Sequence, residues 1–501
     1  MPTQPARTDL EQPPCRGRRL DAAAGLIAVL VFVLLATART LKLPLFSSAD
    51  EVAHLDYAYQ VWHHRLPDFY AGIVIDPVRG SGVPVQWVSQ HPPLFYLLLA
   101  PVVGPLIDGG HVLAAGMAAR GINIALGAAV VWCVGRAAGG LFPRLRGIGP
   151  VAALVTACCS WLLGVSSAVY NDSLAALAST LMLWGTGATI LRGQSGKRRA
   201  VVVVAASVCL LSRLSTVAVV APCLVALVGE GFARGRGRGR IGRWSGLITA
   251  LVAGLGVLAT SGWFYLRNVR LTGSVTGGHP EWAEANLGRH ELALDQIVTP
   301  ASLRGLLSVF DPTGHRALLG ALLLVVPAVV LLALVLVRSA VRLARAGRAR
   351  WGGSGTGPRR QRPRRPSGPV AVVVLLVTAT LLVLAMQLAY SRSGGAISAR
   401  YVLPVLLPFS TVVSGALTAW RPVAPLLLAV WTGIWARSMV HWWGTLPTHY
   451  DAASSWPTYT TASTVLLDAG LGVLAVGVVV ASLGVLRGLA PAWRSPGNLA
   501  A

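Results

Sequence analysis

Residues 20–55 read LDAAAGLIAVLVFVLLATARTLKLPLFSSADEVAHL, a long apolar run followed by a short acidic segment. The apolar part, 20–41, has the roughly 20 residues that an α-helix rising about 1.5 Å per residue needs to cross the hydrocarbon of a bilayer. Comparable runs recur at 247–266, 317–337 and 370–390. None of them alternates as a membrane strand would, so they predict transmembrane helices.

The composition is that of a chain embedded in lipid. Of the 501 residues, 54% are hydrophobic and 12% are charged, and the mean hydropathy is +0.63. Soluble domains carry about twice this charged fraction, so such a chain cannot cover its surface with groups that water solvates. We therefore expect an all-α integral membrane protein with about 12 transmembrane helices.

The formal net charge of +25 is distributed unevenly along the chain. A charge of this size occurs in nucleic-acid-binding proteins and in proteins at anionic membrane surfaces, so its position decides between them. Basic clusters lie between apolar runs, and most acidic residues lie in the alternate connections. This is the positive-inside pattern, which places the N-terminus in the cytoplasm and gives no reason to expect a nucleic-acid partner. The basic clusters are 16–19, 136–146, 197–199, 234–243, 338–365 and 487–494.

The alternation of charge sets the number of crossings. The run 200–229 has basic residues on both sides, so it must cross an even number of times and predicts a hairpin of two short helices with Arg213 near its outer tip. The apolar run 92–107 is short and contains Pro101 and Pro105, so it predicts an interfacial or re-entrant helix. The other spans are predicted near 20–41, 111–135, 148–168, 174–191, 245–266, 316–337, 370–390, 402–419, 423–441 and 463–487.

These spans divide the chain into regions. The first apolar run is expected to be a retained span rather than a cleaved signal peptide, because it is long and no A-x-A site follows it. The regions are a cytoplasmic tail (1–19), an N-terminal transmembrane catalytic module (20–230) that includes the first outer loop (42–111), a basic cytoplasmic loop (231–244), helices with an outer loop at 267–315 (245–337), a disordered basic linker (338–369), C-terminal transmembrane helices (370–488) and a cytoplasmic tail (489–501).

The first outer loop opens with the richest polar segment of the chain. Asp50 and Glu51 follow the first span, and His54 comes three residues later. On a helix the three side chains would share one face, where they could act as a base, as ligands of a divalent metal ion, or both. The pattern fits equally well an ordinary helix start with acidic residues in its first turn.

Seven further polar residues are predicted to reach the same outer boundary. A cation inside an apolar run, such as Arg213, is costly enough to indicate function and suits a lipid-linked phosphate. The others lie at helix starts and at the ends of spans, where capping and interfacial anchoring are the plain alternatives. The seven are His91, Asp172, Arg213, Arg267, Asn268, Arg400 and Tyr401.

Several of these segments resemble motifs of a known superfamily. Asp50-Glu51-Val52-Ala53-His54 resembles the acidic motif in the first outer loop of protein O-mannosyltransferases, and His91-Pro92-Pro93-Leu94 resembles their HPPL motif. Bacterial transferases such as the lipid A aminoarabinose transferases have similar elements. Three further segments of this chain also resemble those bacterial proteins, namely Asn171-Asp172, Leu211-Ser212-Arg213 and Arg400-Tyr401-Val402-Leu403-Pro404. Residues 45–410 thus resemble the GT-C superfamily of polyprenyl-phosphate-sugar-dependent glycosyltransferases.

The resemblance implies a GT-C-like fold with interfacial helices in the first extracytoplasmic loop and a site at the membrane boundary. In that superfamily an acid that matches Asp50 activates the acceptor hydroxyl, and some members bind a divalent metal ion nearby. It also implies a polyprenyl-phosphate sugar as donor, an extracytoplasmic glycan, lipid or protein as acceptor, and a plasma-membrane location.

Chemistry assigns roles to the candidates. Because polyprenyl phosphate is a good leaving group, the enzyme must mainly position the acceptor, deprotonate it and stabilise the departing phosphate. We therefore expect Asp50 to act as base, Glu51 and His54 as orienting or metal-binding groups, and Arg213 with Arg267 or Arg400 at the phosphate. A multi-span transporter or lipid flippase is the alternative, and a scaffold without catalysis would be favoured if these residues lay far apart.

Overall fold

The computed structural model describes residues 15–48, 50–75, 84–235, 239–312, 318–351, 368–446 and 458–487. All regular elements within these ranges are helical. They are α1 Cys15–Lys42, α2 Glu51–Trp62, α3 Leu94–Asp108, α4 Val112–Leu141, α5 Ile148–Ala157, α6 Ser160–Ser166, α7 Asp172–Arg192, α8 Gly196–Ser212, α9 Val217–Gly235, α10 Gly239–Val257, α11 Trp263–Thr272, α12 Pro280–Leu287, α13 Leu294–Ile297, α14 Pro300–Leu307, α15 Leu318–Trp351, α16 Gly368–Arg392, α17 Leu406–Thr418, α18 Ala424–Thr445 and α19 Thr460–Leu486.

The prediction of an all-α membrane fold is confirmed. In the described residues ten helices are long and apolar enough to cross a bilayer, and the bent pair α5–α6 would make an eleventh span. Every predicted span coincides with a helix. The remaining predicted span is α8. It is not among the ten long apolar helices, because it has only 17 residues and begins with a basic segment. The ten helices are Arg19–Lys42, Val112–Leu141, Asp172–Arg192, Leu214–Ala233, Trp244–Thr272, Gly320–Arg345, Gly368–Arg392, Ala399–Thr418, Arg421–Thr445 and Thr460–Leu486.

The predicted hairpin within 200–229 is present as α8 and α9. The two arms meet at Arg213, which has extended backbone, and a short 3-10 turn at Leu214–Thr216 leads into α9. Arg213 is 9% exposed. The chain therefore places this cation inside protein at the hairpin tip, where its charge needs a partner.

The first part of the predicted disordered linker, 338–369, is helical. α15 continues as a helix through Trp351, so 338–351 is helical rather than disordered. Arginine and alanine in this stretch are good helix formers, and they extend the apolar helix beyond its membrane segment. Residues 352–367 lie outside the described part of the chain, as do residues 1–14 of the predicted N-terminal tail and the whole predicted C-terminal tail, 489–501.

The bundle core is built on close helix contacts. α1 packs along α19, α4 and α5, and α4 packs closely against α5. A Cβ added to Gly135 of α4 would lie 2.8 Å from the Cβ of Ala153 and 3.1 Å from the carbonyl oxygen of Gly149, both in α5. Small residues at such positions let helix backbones approach within a membrane. This packing fixes the helix ends that carry the polar residues.

The first loop forms a second, smaller core beside the bundle. α2 packs on α3, α3 packs on α4, and this small core buries Leu55, Tyr57, Phe95 and Leu99 completely. α3 is only 15 residues long and contains Pro101 and Pro105. As predicted, it is too short to be counted among the spanning helices.

Candidate active site

Asp50 occupies the N-cap position of α2 but makes no side-chain capping hydrogen bond. Its Oδ2 accepts a hydrogen bond of 2.8 Å from the guanidinium of Arg400, which lies 350 residues further along the chain. Its backbone N–H is 3.4 Å from the hydroxyl oxygen of Tyr170. The side chains of Asp50 and Arg400 are 20% and 16% exposed. The carboxylate is therefore held by tertiary partners and is partly open.

Asp172 extends this pair into a chain of alternating charges. Its Oδ1 pairs with the guanidinium of Arg213 at the hairpin tip. Its Oδ2 lies 3.9 Å from Nε of Arg400, and neither of these two atoms makes a hydrogen bond within the described residues. We call Asp50, Asp172, Arg213 and Arg400 the charge cluster. Two carboxylates and two guanidinium groups balance one another, as buried charges must.

Two tyrosines cover the arginines of the charge cluster. The guanidinium carbon of Arg400 lies 4.8 Å from the ring centre of Tyr170 and 4.9 Å from that of Tyr401. The guanidinium carbon of Arg213 is also 4.9 Å from the ring centre of Tyr401. These are cation–π distances, so the aromatic rings stabilise both cations without neutralising them. The cations remain able to attract an anionic ligand.

His54 and His91 lie side by side next to the charge cluster. Their rings stack with centroids 6.1 Å apart, and Nδ1 of His54 is 3.0 Å from the hydroxyl of Tyr96. Burial, reinforced by Arg213 and Arg400, holds the pKa of both histidines well below the usual value of 6.5. Both imidazoles are therefore neutral at neutral pH and can orient hydroxyl groups without adding charge.

The side chain of Glu51 lies in a buried ion pair. It is fully buried, and its two carboxylate oxygens accept hydrogen bonds of 2.7 and 2.8 Å from Nε and Nη2 of Arg120. Backbone N–H groups of Phe46 and Val169 also donate to it, at 2.9 and 3.1 Å. With its acceptor positions filled in this way, Glu51 joins the start of α2 to α4.

The predicted divalent metal site does not form around Asp50, Glu51 and His54. In the part of the chain that the structure describes, no three His, Cys, Asp or Glu side chains are grouped so that they could hold a metal ion. Glu51 is taken by Arg120, and Asp50 by Arg400. Glu51 does not fit a resident metal ion, because both of its carboxylate oxygens already accept hydrogen bonds from Arg120 and from backbone N–H groups.

Arg120 is the site residue that the sequence interpretation missed. Besides Glu51, its guanidinium donates to the carbonyl oxygens of Thr40, Leu43 and Pro44 at 3.0 to 3.1 Å. An arginine within the second apolar run is itself a signal, because a charge at such a position is expensive. It joins the end of α1 to the start of α2 and so fixes the position of Asp50.

The plain interpretation of Asn171-Asp172 is a cap for α7. The side chain of Asn171 makes no such capping hydrogen bond. Its side-chain nitrogen donates to the carbonyl oxygen of Ser212 at 2.9 Å, in the residue before Arg213. This contact ties the start of α7 to the hairpin tip and brings Asp172 to Arg213.

Arg267 and Asn268 lie apart from the charge cluster. Arg267 donates to the carbonyl oxygen of Pro67 at 2.8 Å, and Asn268 donates to that of Gln90 at 3.2 Å. Both line a separate small pocket between the first loop and α11. The pocket and the charge cluster adjoin each other through Gln90 and His91, which are neighbours in the chain. Of the ten predicted residues, the structure therefore brings seven to the charge cluster and its border, namely Asp50, His54, His91, Asp172, Arg213, Arg400 and Tyr401.

Comparison with known proteins gives matches in fold only. No protein-family model and no curated protein sequence matches the chain. Among solved structures the chain is similar to that of ArnT from Cupriavidus metallidurans bound to undecaprenyl phosphate, with 13% identity, a TM-score of 0.49 and coverage of 95% of this chain and 76% of that one. It is also similar to the Archaeoglobus fulgidus oligosaccharyltransferase, in the apo form (14% identity, TM-score 0.44, 94% of this chain) and in complex with Zn and sulfate (14% identity, TM-score 0.43, 89% of this chain). The chain spans about half the length of that oligosaccharyltransferase, 56% and 53% in the two structures.

Proposed function

We propose that this protein is a membrane glycosyltransferase that moves a sugar from a polyprenyl-phosphate donor to an extracytoplasmic acceptor in the building of the cell envelope. The observation that carries the proposal is the charge cluster. It joins Asp50, Asp172, Arg213 and Arg400 from four distant parts of the chain at one set of helix ends. A scaffold without catalysis would not need these residues to meet, so their gathering favours a functional site over a scaffold.

The arginines supply the donor site in this proposal. Guanidinium groups bind phosphate oxygens through paired hydrogen bonds, and they keep their charge when buried. Without donor, Asp50 and Asp172 balance Arg400 and Arg213. A phosphate that enters between the arginines competes with the carboxylates for the same N–H groups. Donor binding therefore loosens the contact of Asp50 with Arg400.

Asp50 is the base in this proposal. Once a phosphate shares Arg400, the carboxylate loses part of its cationic partner and can accept a hydrogen bond from the acceptor hydroxyl. The acceptor hydroxyl oxygen attacks the anomeric carbon, and its proton passes to Asp50. The bond between that carbon and the phosphate oxygen breaks, and polyprenyl phosphate leaves with the bonding electrons. The arginines stabilise the charge that grows on the leaving oxygen.

The neighbouring groups position these participants. The neutral rings of His54 and His91 border the cluster and offer hydrogen bonds to the acceptor. Glu51 and Arg120 hold the start of α2, on which Asp50 is placed. The bilayer delivers the donor, whose phosphate meets the arginines at the ends of the helices.

The proposal is tested with the full chain in nanodiscs and radiolabelled decaprenyl-phosphate sugars, with membrane extracts as the source of acceptor. We expect Asp50→Asn to lower transfer by about 100-fold or more, the usual effect of losing a general base. Asp295→Asn is the matched control, because Asp295 is an exposed carboxylate of another outer loop. Equal transfer by the Asp50 variant would refute the role of Asp50. Movement of the lipid across the bilayer without any sugar transfer would favour the flippase.

A further inference from the structure

The pocket beside the charge cluster is built by two predicted outer loops. One wall comes from the first loop, at 67–70 and 89–90, and the other comes from α11 and the turn after it, at 267–279. Its volume is about 90 Å³. Two hydrogen bonds hold the walls together, from Arg267 to Pro67 and from Asn268 to Gln90. The pocket is thus a defined feature of the fold.

Aromatic rings surround this pocket. The ring of Phe69 stacks on that of His279 at 3.8 Å and meets Trp282 edge-on at 5.5 Å, and Trp87 lies 5.6 Å from Trp282. Tyr70 touches His279 edge-on and is 67% exposed. A ring that served only to fill a core would be covered, so Tyr70 is available for a ligand. Three aromatic rings, those of Phe69, Tyr70 and His279, therefore line one opening outside the spanning helices, and Trp87 and Trp282 contact Phe69.

The polar groups of the pocket carry little net charge. The charged residues of the lining are Asp68 and Arg267, and their charges are opposite in sign. Burial lowers the pKa of His279, which keeps that imidazole neutral at neutral pH. Aromatic faces combined with a few amide and carboxylate groups suit a neutral ring that carries many hydroxyls and has an apolar face. A second phosphate would lack an excess of cations here.

We propose that this pocket binds a sugar ring of the acceptor, so that the acceptor is a neutral glycan. The C–H groups on one face of the sugar lie against the aromatic rings, and its hydroxyls bond to Asp68, Gln90 and Asn268. Gln90 of the lining is followed by His91, whose ring stacks on that of His54 beside the charge cluster, so the pocket opens on the part of the first loop that leads to this cluster. The inference rests on the proposed function and names the acceptor class for it.

Saturation-transfer-difference NMR on the full chain in nanodiscs tests this binding without any need for turnover. The probes are the methyl glycosides of mannose, glucose, galactose and arabinofuranose. We expect saturation transfer to the ring C–H protons of at least one probe, with a loss of about fivefold in Tyr70→Ala and in His279→Ala, the size of one lost aromatic contact. Tyr459→Ala is the matched control, because this exposed tyrosine lies at the start of α19, outside the pocket.

The outcomes separate the pocket from the reaction. Three results overturn the inference. They are no saturation transfer to any of the four probes, saturation transfer in both pocket variants equal to that in the parent, and displacement of the probe by millimolar inorganic phosphate. The Asp50→Asn protein should bind the probe as the parent does. If the parent binds the probe but moves no sugar from the lipid donor, the proposed function fails and the pocket stands. If the parent moves sugar and Tyr70→Ala leaves the acceptor KM unchanged, the pocket fails and the function stands.

Discussion

Arg400 is the residue on which the electrostatics of the site depend. Its guanidinium contacts Asp50, faces Asp172 and lies over Tyr170 and Tyr401. A lysine has a compact charge that cannot bridge two oxygens and stack on a ring at once. We therefore expect Arg400→Lys to lower transfer by at least about tenfold and to raise the donor KM, as measured by steady-state kinetics with the lipid donor.

Arg392→Lys is the control for this substitution. Arg392 pairs with Glu291 at 3.1 Å, but both side chains are mostly exposed, so the pair contributes little. Its transfer rate and donor KM should match those of the parent. Similar kinetics in Arg400→Lys and Arg392→Lys would show that only the charge at position 400 matters.

His54 and His91 predict a loss of stability in acid. Their pKa values in the folded chain lie well below 6.5, whereas the unfolded chain titrates near 6.5. As the pH falls below about 6.5 the unfolded state takes up protons that the folded state does not, so folding stability falls by up to about 1.4 kcal/mol per pH unit for each histidine. Thermal unfolding between pH 7.5 and 5 measures this slope.

Variants assign that slope to the histidines. His54→Gln removes one of the two groups and should flatten the dependence of the melting temperature on pH, even if it lowers the melting temperature at pH 7.5. His64→Gln, at an exposed position of the same loop, should leave the slope unchanged. A parent protein with the same melting temperature at both ends of the range would contradict the prediction.

At the scale of elements, the junction of α1, α2 and α4 depends on one buried ion pair. The side chains of Glu51 and Arg120 are 0% and 1% exposed, and they bind five backbone groups besides each other. Glu51→Gln leaves the guanidinium without its counter-charge, and we expect it to lower the free energy of unfolding by about 3–5 kcal/mol. Chemical unfolding in mixed micelles, followed by tryptophan fluorescence, provides the measurement.

A double substitution distinguishes the effect of an unpaired buried charge from the effect of altered packing. Replacing both partners, as Glu51→Leu with Arg120→Met, removes the uncompensated charge and should recover part of the lost stability. Glu291→Gln, which breaks an exposed pair, should change the stability by less than about 1 kcal/mol. A double variant no more stable than Glu51→Gln would contradict this account.

The same junction shows how far the sequence alone could go. Apolar length and the alternation of charge were enough to predict the spans, the hairpin with Arg213 at its tip and the gathering of Asp50, Asp172, Arg213 and Arg400. These properties are local, or are imposed by the bilayer on each segment separately. The partner of each charge was not predictable in the same way. Glu51 and Asp50 are adjacent in the chain, yet they face Arg120 and Arg400, because tertiary packing directs neighbouring helix positions to different sides.

At the scale of the whole molecule, the asymmetry of charge predicts which ends of the helices face the cytoplasm. The basic end of α15, with Arg338, Arg342 and Arg345, should face inward, and the turn after α16 should lie outside with Asp50. Ser393 and Arg345 are both exposed, so a cysteine at either position is reachable from its own side of the membrane.

Labelling of intact cells with a membrane-impermeant maleimide tests this orientation. We expect Ser393→Cys to be labelled in intact cells, and Arg345→Cys only after the membrane is opened, with labelling of the parent chain subtracted as background. Because Leu292 N–H donates to the carbonyl oxygen of Arg392, the loop after α11 shares the side of Ser393. The charge cluster and the pocket between the first loop and α11 must lie on the same side of the membrane, because Arg267 binds the first loop. Labelling of Ser393→Cys only in opened cells would place the carboxylates, both arginines and the proposed glycan site in the cytoplasm, and an extracytoplasmic acceptor would then be out of reach.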